Sequence, residues 1–301
     1  MAEDDNKKQE IDLSKVSNID AVTKKDKKMK NMVEEKSKAS SKKRNKGKFN
    51  FSEADIVELP SRGILYQHVT EDENVLNGKI EIYPMTAREE EILSTQKFIK
   101  DGSATRRVLD RCIASDIDAK DILVYDSNYL LFFLRQISYG DEYQFELKCQ
   151  NSMCGKKFDH ELKISELDFE ELPDIEEPIE VELPKSKYTV YMVLPRLYHT
   201  EDIVSRSSSK KRSTEDSTGR QIDRYLSSTV SIIDDEGEEV DKKDWEEFFE
   251  SLPGSDIAKI RESSDYSTGV DTLENVICPY CDSDYSGTIP IGMNFFRFWR
   301  E

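Results

Sequence analysis

Four cysteines carry the clearest chemistry in the sequence. Cys149 and Cys154 form a C-x4-C pair within Lys148-Cys149-Gln150-Asn151-Ser152-Met153-Cys154-Gly155-Lys156-Lys157. Cys278 and Cys281 form a C-x2-C pair within Ile277-Cys278-Pro279-Tyr280-Cys281-Asp282. Two such pairs, each on a tight turn, supply the four sulfurs of a tetrahedral Zn2+ site. Turns suit this task because backbone N–H groups can point at the sulfurs and help hold them as thiolates. Four thiolates around a divalent ion make a −2 centre, and Lys148, Lys156 and Lys157 are placed to offset it. A site filled by four protein ligands has no position for water or substrate, so the expected role of the ion is structural. Structural disulfides are the weaker account, because Met1-Ala2-Glu3-Asp4-Asp5 lacks the basic and apolar regions of a secretory signal. Redox chemistry by Cys278 and Cys281 is weaker still, since no β-α-β pattern surrounds them. Cys112 falls on a helical pattern and reads as a core residue.

Little else in the chain has catalytic spacing. No phosphate-binding glycine loop, nucleophile elbow or paired-histidine metal site is present. His68, His160 and His199 are scattered, and the carboxylates are too numerous for any pair to stand out. His160 is a poor substitute ligand when four cysteines are at hand. No enzyme is expected, and no catalytic residue is assigned.

The elements that must position the thiols read as short strands. Tyr143–Leu147 leads into the first pair and Phe158–Ile164 leaves it; Val276-Ile277 precedes the second pair, with Tyr285 and Thr288–Ile291 after it. Alternating residues flank both turns, as in the two knuckles of a zinc ribbon. With 123 residues between Cys154 and Cys278, one shared ion would close everything between them into a single unit. Upstream, Ile56–Tyr66 reads as a strand, a Pro/Gly turn and a return, and Gly78–Pro84 as a half-buried strand. Thr86 with Glu89 fits a capping box, predicting a helix from about Ala87 to Lys100. Ser103 is placed to cap the next helix, and Asp126-Ser127-Asn128 to open an apolar central helix over Tyr129–Ile137. The Leu183-Pro184 turn and the following segment echo Leu59-Pro60 and Thr86–Leu93, as two related lobes or by coincidence of amphipathic patterns. Further helices are expected at Gln221–Ile233, Lys242–Leu252 and Ser255–Ser264, with a mobile loop at Ser205–Gly219.

These readings give an α+β fold, with a helical core, short β-units and a split zinc-ribbon-like four-cysteine site. Residues 1–50 are expected to be a disordered charged arm. Residues 51–172 form an N-terminal α+β lobe with the first knuckle, and 173–275 a second, mainly helical lobe. Residues 276–301 form the C-terminal half of the ribbon with its aromatic tail.

The 301 residues carry 44 Lys+Arg and 62 Asp+Glu, a net charge of −18. Residues 1–50 hold 15 basic against 9 acidic side chains, giving +6, while the remainder carries −24. An acidic body repels a phosphate backbone, which argues against nucleic-acid binding as its main activity. The arm, with no aromatic before Phe49, buries too little to offset the entropy of ordering. It is read as a solubilising tail or a contact for an acidic surface. No run approaches the ~20 apolar residues of a membrane helix, so an integral membrane protein is not expected.

Four segments in order carry a resemblance. They are Leu59-Pro60-Ser61-Arg62-Gly63-Ile64-Leu65-Tyr66, Tyr83–Leu93, Leu134–Tyr143 running into the first knuckle, and the Leu183-Pro184 unit with the second knuckle behind it. In these the chain resembles the baseplate hub assembly chaperone family of T4-type contractile-tailed phages. The resemblance implies a non-enzymatic assembly chaperone or minor structural component of the baseplate hub. Its partners would be hub or tail proteins, with no small-molecule substrate. It would act in the host cytoplasm during assembly, with the virion tail baseplate as a second location. Phe295, Phe296, Phe298 and Trp299 are the apolar docking candidates, with packing back into the ribbon as the other outcome. The alternative reading is a zinc-ribbon adaptor associated with transcription, using the basic arm on nucleic acid. A metal-dependent hydrolase would need an open coordination position.

Overall fold

The computed structural model describes residues 53–210, 217–264, 273–290 and 293–296. The expected disordered arm, residues 1–50, lies outside them.

Period-two patterning sets the first element pair. Strands β1 (Asp55–Glu58) and β2 (Lys79–Ile82) run antiparallel, with Val57 opposite Ile80. Val57, Ile80 and Ile82 are buried on one face. The connecting turn needs glycine at position 63, where φ is +81° and a Cβ would stand 2.5 Å from the Val75 carbonyl oxygen. A one-turn helix, α1 (Glu73–Leu76), completes this connection.

The capping box starts the next helix as the sequence requires: the Thr86 N–H donates to Glu89 Oε2 at 2.7 Å. The helix does not run on to Lys100. It breaks into α2 (Ala87–Ser94) and α3 (Gln96–Lys100) at Thr95, whose backbone is extended. There Ser94 and Thr95 hydroxyls donate to the Glu90 and Glu91 carbonyls, competing with the helical ladder. Helix α4 (Ala104–Cys112) follows, and Cys112 is buried in the core as its helical position implies.

The apolar helix α5 (Val124–Tyr139) starts earlier than the sequence suggests. Asp126 is not its cap; it is fully buried and accepts from the Ser61 N–H at 3.0 Å and the Tyr66 hydroxyl at 2.6 Å. Strands β3 (Glu142–Lys148) and β4 (Lys157–Lys163) then form a hairpin. A three-stranded sheet has the order β5 (Ile179–Glu182), β6 (Thr189–Met192), β7 (Thr229–Ile233). Between β6 and β7 lie α6 (Leu197–Ser209) and α7 (Ser217–Ser228).

Two expectations change here. Ser205–Ser209 belong to α6, supported by an Arg206–Asp202 ion pair and by Ser207 donating to Asp223 of α7. The Thr229–Ile233 segment is a strand, in keeping with its β-branched residues and its pairing with β6. Helices α8 (Trp245–Ser251) and α9 (Gly254–Ser264) precede a last hairpin, β8 (Leu273–Ile277) and β9 (Asp284–Thr288).

Apolar clusters mark the interior. The first packs β1, β2, α4 and α5 through Val57, Ile82, Leu109, Leu130 and Leu134. Another packs the three-stranded sheet against α7, α8 and α9 through Val190, Ile232, Tyr225 and Phe249. A buried arginine crosses between the segments: Arg196 donates to the Asp121 and Leu65 carbonyls, both at 3.0 Å, and pairs with Glu177. Three acceptors around one buried guanidinium satisfy a charge that would otherwise be costly to enclose.

Candidate metal centre

The two hairpins present their turns to each other. In the first, the Cys149 N–H donates to the Lys156 carbonyl at 2.9 Å, directly beyond the Lys148–Lys157 pair of the ladder. Inside that closure, the Cys154 and Gly155 N–H groups both donate to the Asn151 carbonyl. Asn151 Oδ1 accepts from the Met153 N–H. The two residues in excess of a C-x2-C knuckle are thus absorbed in an Asn-centred turn. Gly155 has φ +57°, allowing the chain to leave it. In the second turn the Cys278 N–H donates to the Ser283 carbonyl at 3.0 Å, and Asp282 adopts φ +53°.

Side chains lock one turn to the other. Asn151 Nδ2 donates to Ser283 Oγ at 2.8 Å, and Gln150 Nε2 donates to the Ser286 carbonyl. The Lys156 ammonium lies 4.7 Å from the centroid of the Tyr280 ring. Gly287 lies against the Val276 side chain of its own hairpin, where a Cβ would come within 3.1 Å, and in ordinary contact range of Leu147 from the other hairpin. Cys149 and Cys278 are buried with Phe158 and Val276, while Cys154 and Cys281 are partly exposed.

All four sulfurs consequently lie within 4.8 Å of one another. Cys149 and Cys281 Sγ are 3.7 Å apart, and Cys154 and Cys278 Sγ are 3.9 Å apart. Both separations cross from one hairpin to the other, and none of the five cysteines is in a disulfide. A tetrahedral ion with ~2.3 Å bonds to sulfur requires edges of about 3.8 Å, which these two cross-hairpin separations match, so the four thiols could hold a metal ion.

The thiols are not equivalent. Ser283, through its hydroxyl 3.2 Å away and its backbone, brings Cys281 down to about 6. Burial pushes Cys149 up to about 12. A bound divalent cation ionises its sulfur ligands outright and removes this disparity. Of the expected balancing lysines, Lys157 pairs with Glu146 at 2.5 Å and Lys156 faces Tyr280.

The aromatic docking candidates separate. Phe295 is fully enclosed and Phe296 nearly so, against Phe132, Tyr143 and Ile289. Phe295 meets Phe132 and Tyr143 edge-on, with ring centroids 5.0 and 4.9 Å away. These two residues pack into the chain's own core, where α5 and β3 offer a complementary apolar wall. Phe298 and Trp299 lie outside the described residues. His160 and His199 do not approach the thiols as ligands; His199 accepts the Arg196 N–H at the start of α6. The buried Asp126–Tyr66 and Arg196–Glu177 groups were not legible in spacing, because their partners are distant in sequence.

Among the described residues, no helix is long and apolar enough to cross a membrane. A family model described as T4 bacteriophage base plate protein matches residues 64–297. No curated protein and no solved structure matches the chain.

Proposed function

The chain belongs to the T4 bacteriophage base plate protein family, and on that premise we propose that it is a non-enzymatic assembly chaperone or minor structural component of the baseplate hub. Its partners in this reading are hub or tail proteins, met in the host cytoplasm during assembly. A zinc ion held by Cys149, Cys154, Cys278 and Cys281 stiffens the body that meets them. The observation that carries the zinc part is the cross-hairpin sulfur spacing of 3.7 and 3.9 Å. An ion bound by all four sulfurs has no vacant position, so its work is mechanical. It ties residues near the middle of the chain to residues near its end. The four-thiol set would form the centre of a split zinc ribbon.

Affinity capture from phage-infected cells, compared with mass spectrometry of finished particles, tests the assembly role. Hub or tail proteins are expected in the capture. Recovery of only RNA polymerase or nucleic acid would instead select the transcription-adaptor reading. Metal analysis tests the zinc: one equivalent per chain is expected, lost in each single Cys→Ser variant at these four positions and kept in Cys112→Ser.

A further inference from the structure

Two stretches of the chain share a set of main-chain hydrogen bonds at corresponding positions. In each, a four-residue strand pairs antiparallel with a second: Asp55 to Ile82 through Glu58 to Lys79, and Ile179 to Met192 through Glu182 to Thr189. The buried cross-strand pair occupies the same place, Val57–Ile80 in one and Val181–Val190 in the other. A buried leucine followed by proline leaves the first strand in both. Its N–H donates to the residue just before the second strand: Leu59 to Gly78 at 2.7 Å, Leu183 to Tyr188 at 2.8 Å.

The likeness continues beyond the strands. The N–H two residues after that leucine is taken by a buried aspartate. Ser61 donates to Asp126, and Lys185 with Ser186 donates to Asp256, at 2.8–3.0 Å. Each aspartate is the third residue of a helix, α5 or α9. The residue after the second strand donates to the last residue of a later helix: Tyr83 to Cys112 and Val193 to Ser228, both at 2.8 Å. The next residue returns the chain to the second strand, as the Ile113–Ile82 bridge and the Thr229–Met192 pair. Four residues past the second strand lies a helix N-cap whose N–H is accepted by the third helical residue. Glu89 takes the N–H of Thr86, and His199 that of Arg196. Finally, each stretch ends in a hairpin whose turn carries two cysteines.

We propose that residues 55–163 and 179–288 are two copies of one module, and that each copy supplies one two-thiol knuckle to a metal site formed where the copies meet. Asp126 and Asp256 are then equivalent positioning residues, each pinning the Leu-Pro turn of its own copy. The side chains have diverged; α1 and α3 are present only in the first copy, and α8 and the full strand β7 only in the second. What persists is the hydrogen bonding, because an unpaired buried N–H is costly whichever side chain satisfies it. The metal-junction part rests on the zinc reading above; the copy equivalence does not.

Amide exchange on the full, zinc-loaded chain tests both parts. Asp256→Asn should speed exchange at Lys185 and Ser186 at least tenfold and leave Ser61 protected; Asp126→Asn should do the reverse. Loosening of both turns by either substitution, or of neither turn, overturns the equivalence. Chelation needs no substitution. It should raise exchange together in 149–156 and 278–283, while Ile80, Ile82, Val190 and Ile232 stay protected. A response from one hairpin alone, or loss of protection in those inner strands, overturns the junction. Failure to bind zinc at all sinks the metal reading and leaves the aspartate result to stand by itself.

Discussion

At the scale of single residues, the chain enforces geometry through buried polar groups whose state depends on solution conditions. His199 shows this most directly. Burial and the neighbouring Arg196 charge lower it from its ordinary value to about 4, so at neutral pH it is an uncharged acceptor for the Arg196 N–H. An unfolded chain would take up that proton near pH 6.5. Stability from this group is therefore complete above pH 6.5 and is lost as pH falls towards 4, by about 3 kcal/mol in all. His199→Gln keeps an acceptor at the same helical position and removes the titration. Its urea midpoint should vary less than the parent's between pH 6.5 and 4, and equal pH dependence in the two would contradict this origin.

Elements obey a different constraint, set by how closely backbones approach. Gly63 sits in the left-handed region with the Val75 and Leu76 carbonyls and the Gly78 nitrogen within 2.6 Å of where a Cβ would go. Gly63→Ala should cost at least about 2 kcal/mol in a denaturation experiment, because backbone, not a flexible side chain, blocks the methyl group. Gly155→Ala meets nothing within 4 Å and bears only the strain of its dihedral, so it should cost less. At the other end, Phe295 joins the 293–296 turn to α5 and β3. Phe295→Ala is expected to destabilise by about 3–5 kcal/mol, the usual range for removing a buried ring. A surface docking residue would leave the unfolding midpoint unchanged.

For the whole molecule, the decisive contact is between sulfurs 132 and 124 positions apart in sequence. On the proposed zinc reading, ligation that closes so long a segment would contribute to folding itself, since an unfolded chain seldom brings four thiols together. Chelation under reducing conditions should lower the thermal midpoint by about 10 °C, the consequence of losing roughly 3 kcal/mol of linked binding energy. Zinc affinity should weaken as pH falls, because protons compete with the ion for sulfur. A midpoint unaffected by chelator and by added zinc would remove the mechanical role.

Read alone, the sequence was sufficient for local matters. The two cysteine pairs, the strands beside them, the Thr86–Glu89 box and the core position of Cys112 each depend on neighbours a few residues away. Side-chain chemistry at short spacing specifies such features directly. It overextended the helix after Thr86, turned β7 into helix, and left Phe295 and Phe296 divided between a partner and the chain's own interior. Those outcomes depended on which distant surface was present: β6 for β7, Phe132 and Tyr143 for Phe295. The meeting of Cys149 with Cys281, the burial of Asp126 and the doubled main-chain wiring were likewise decided in three dimensions, because their partners lie tens of residues to more than a hundred apart and no local pattern encodes that distance.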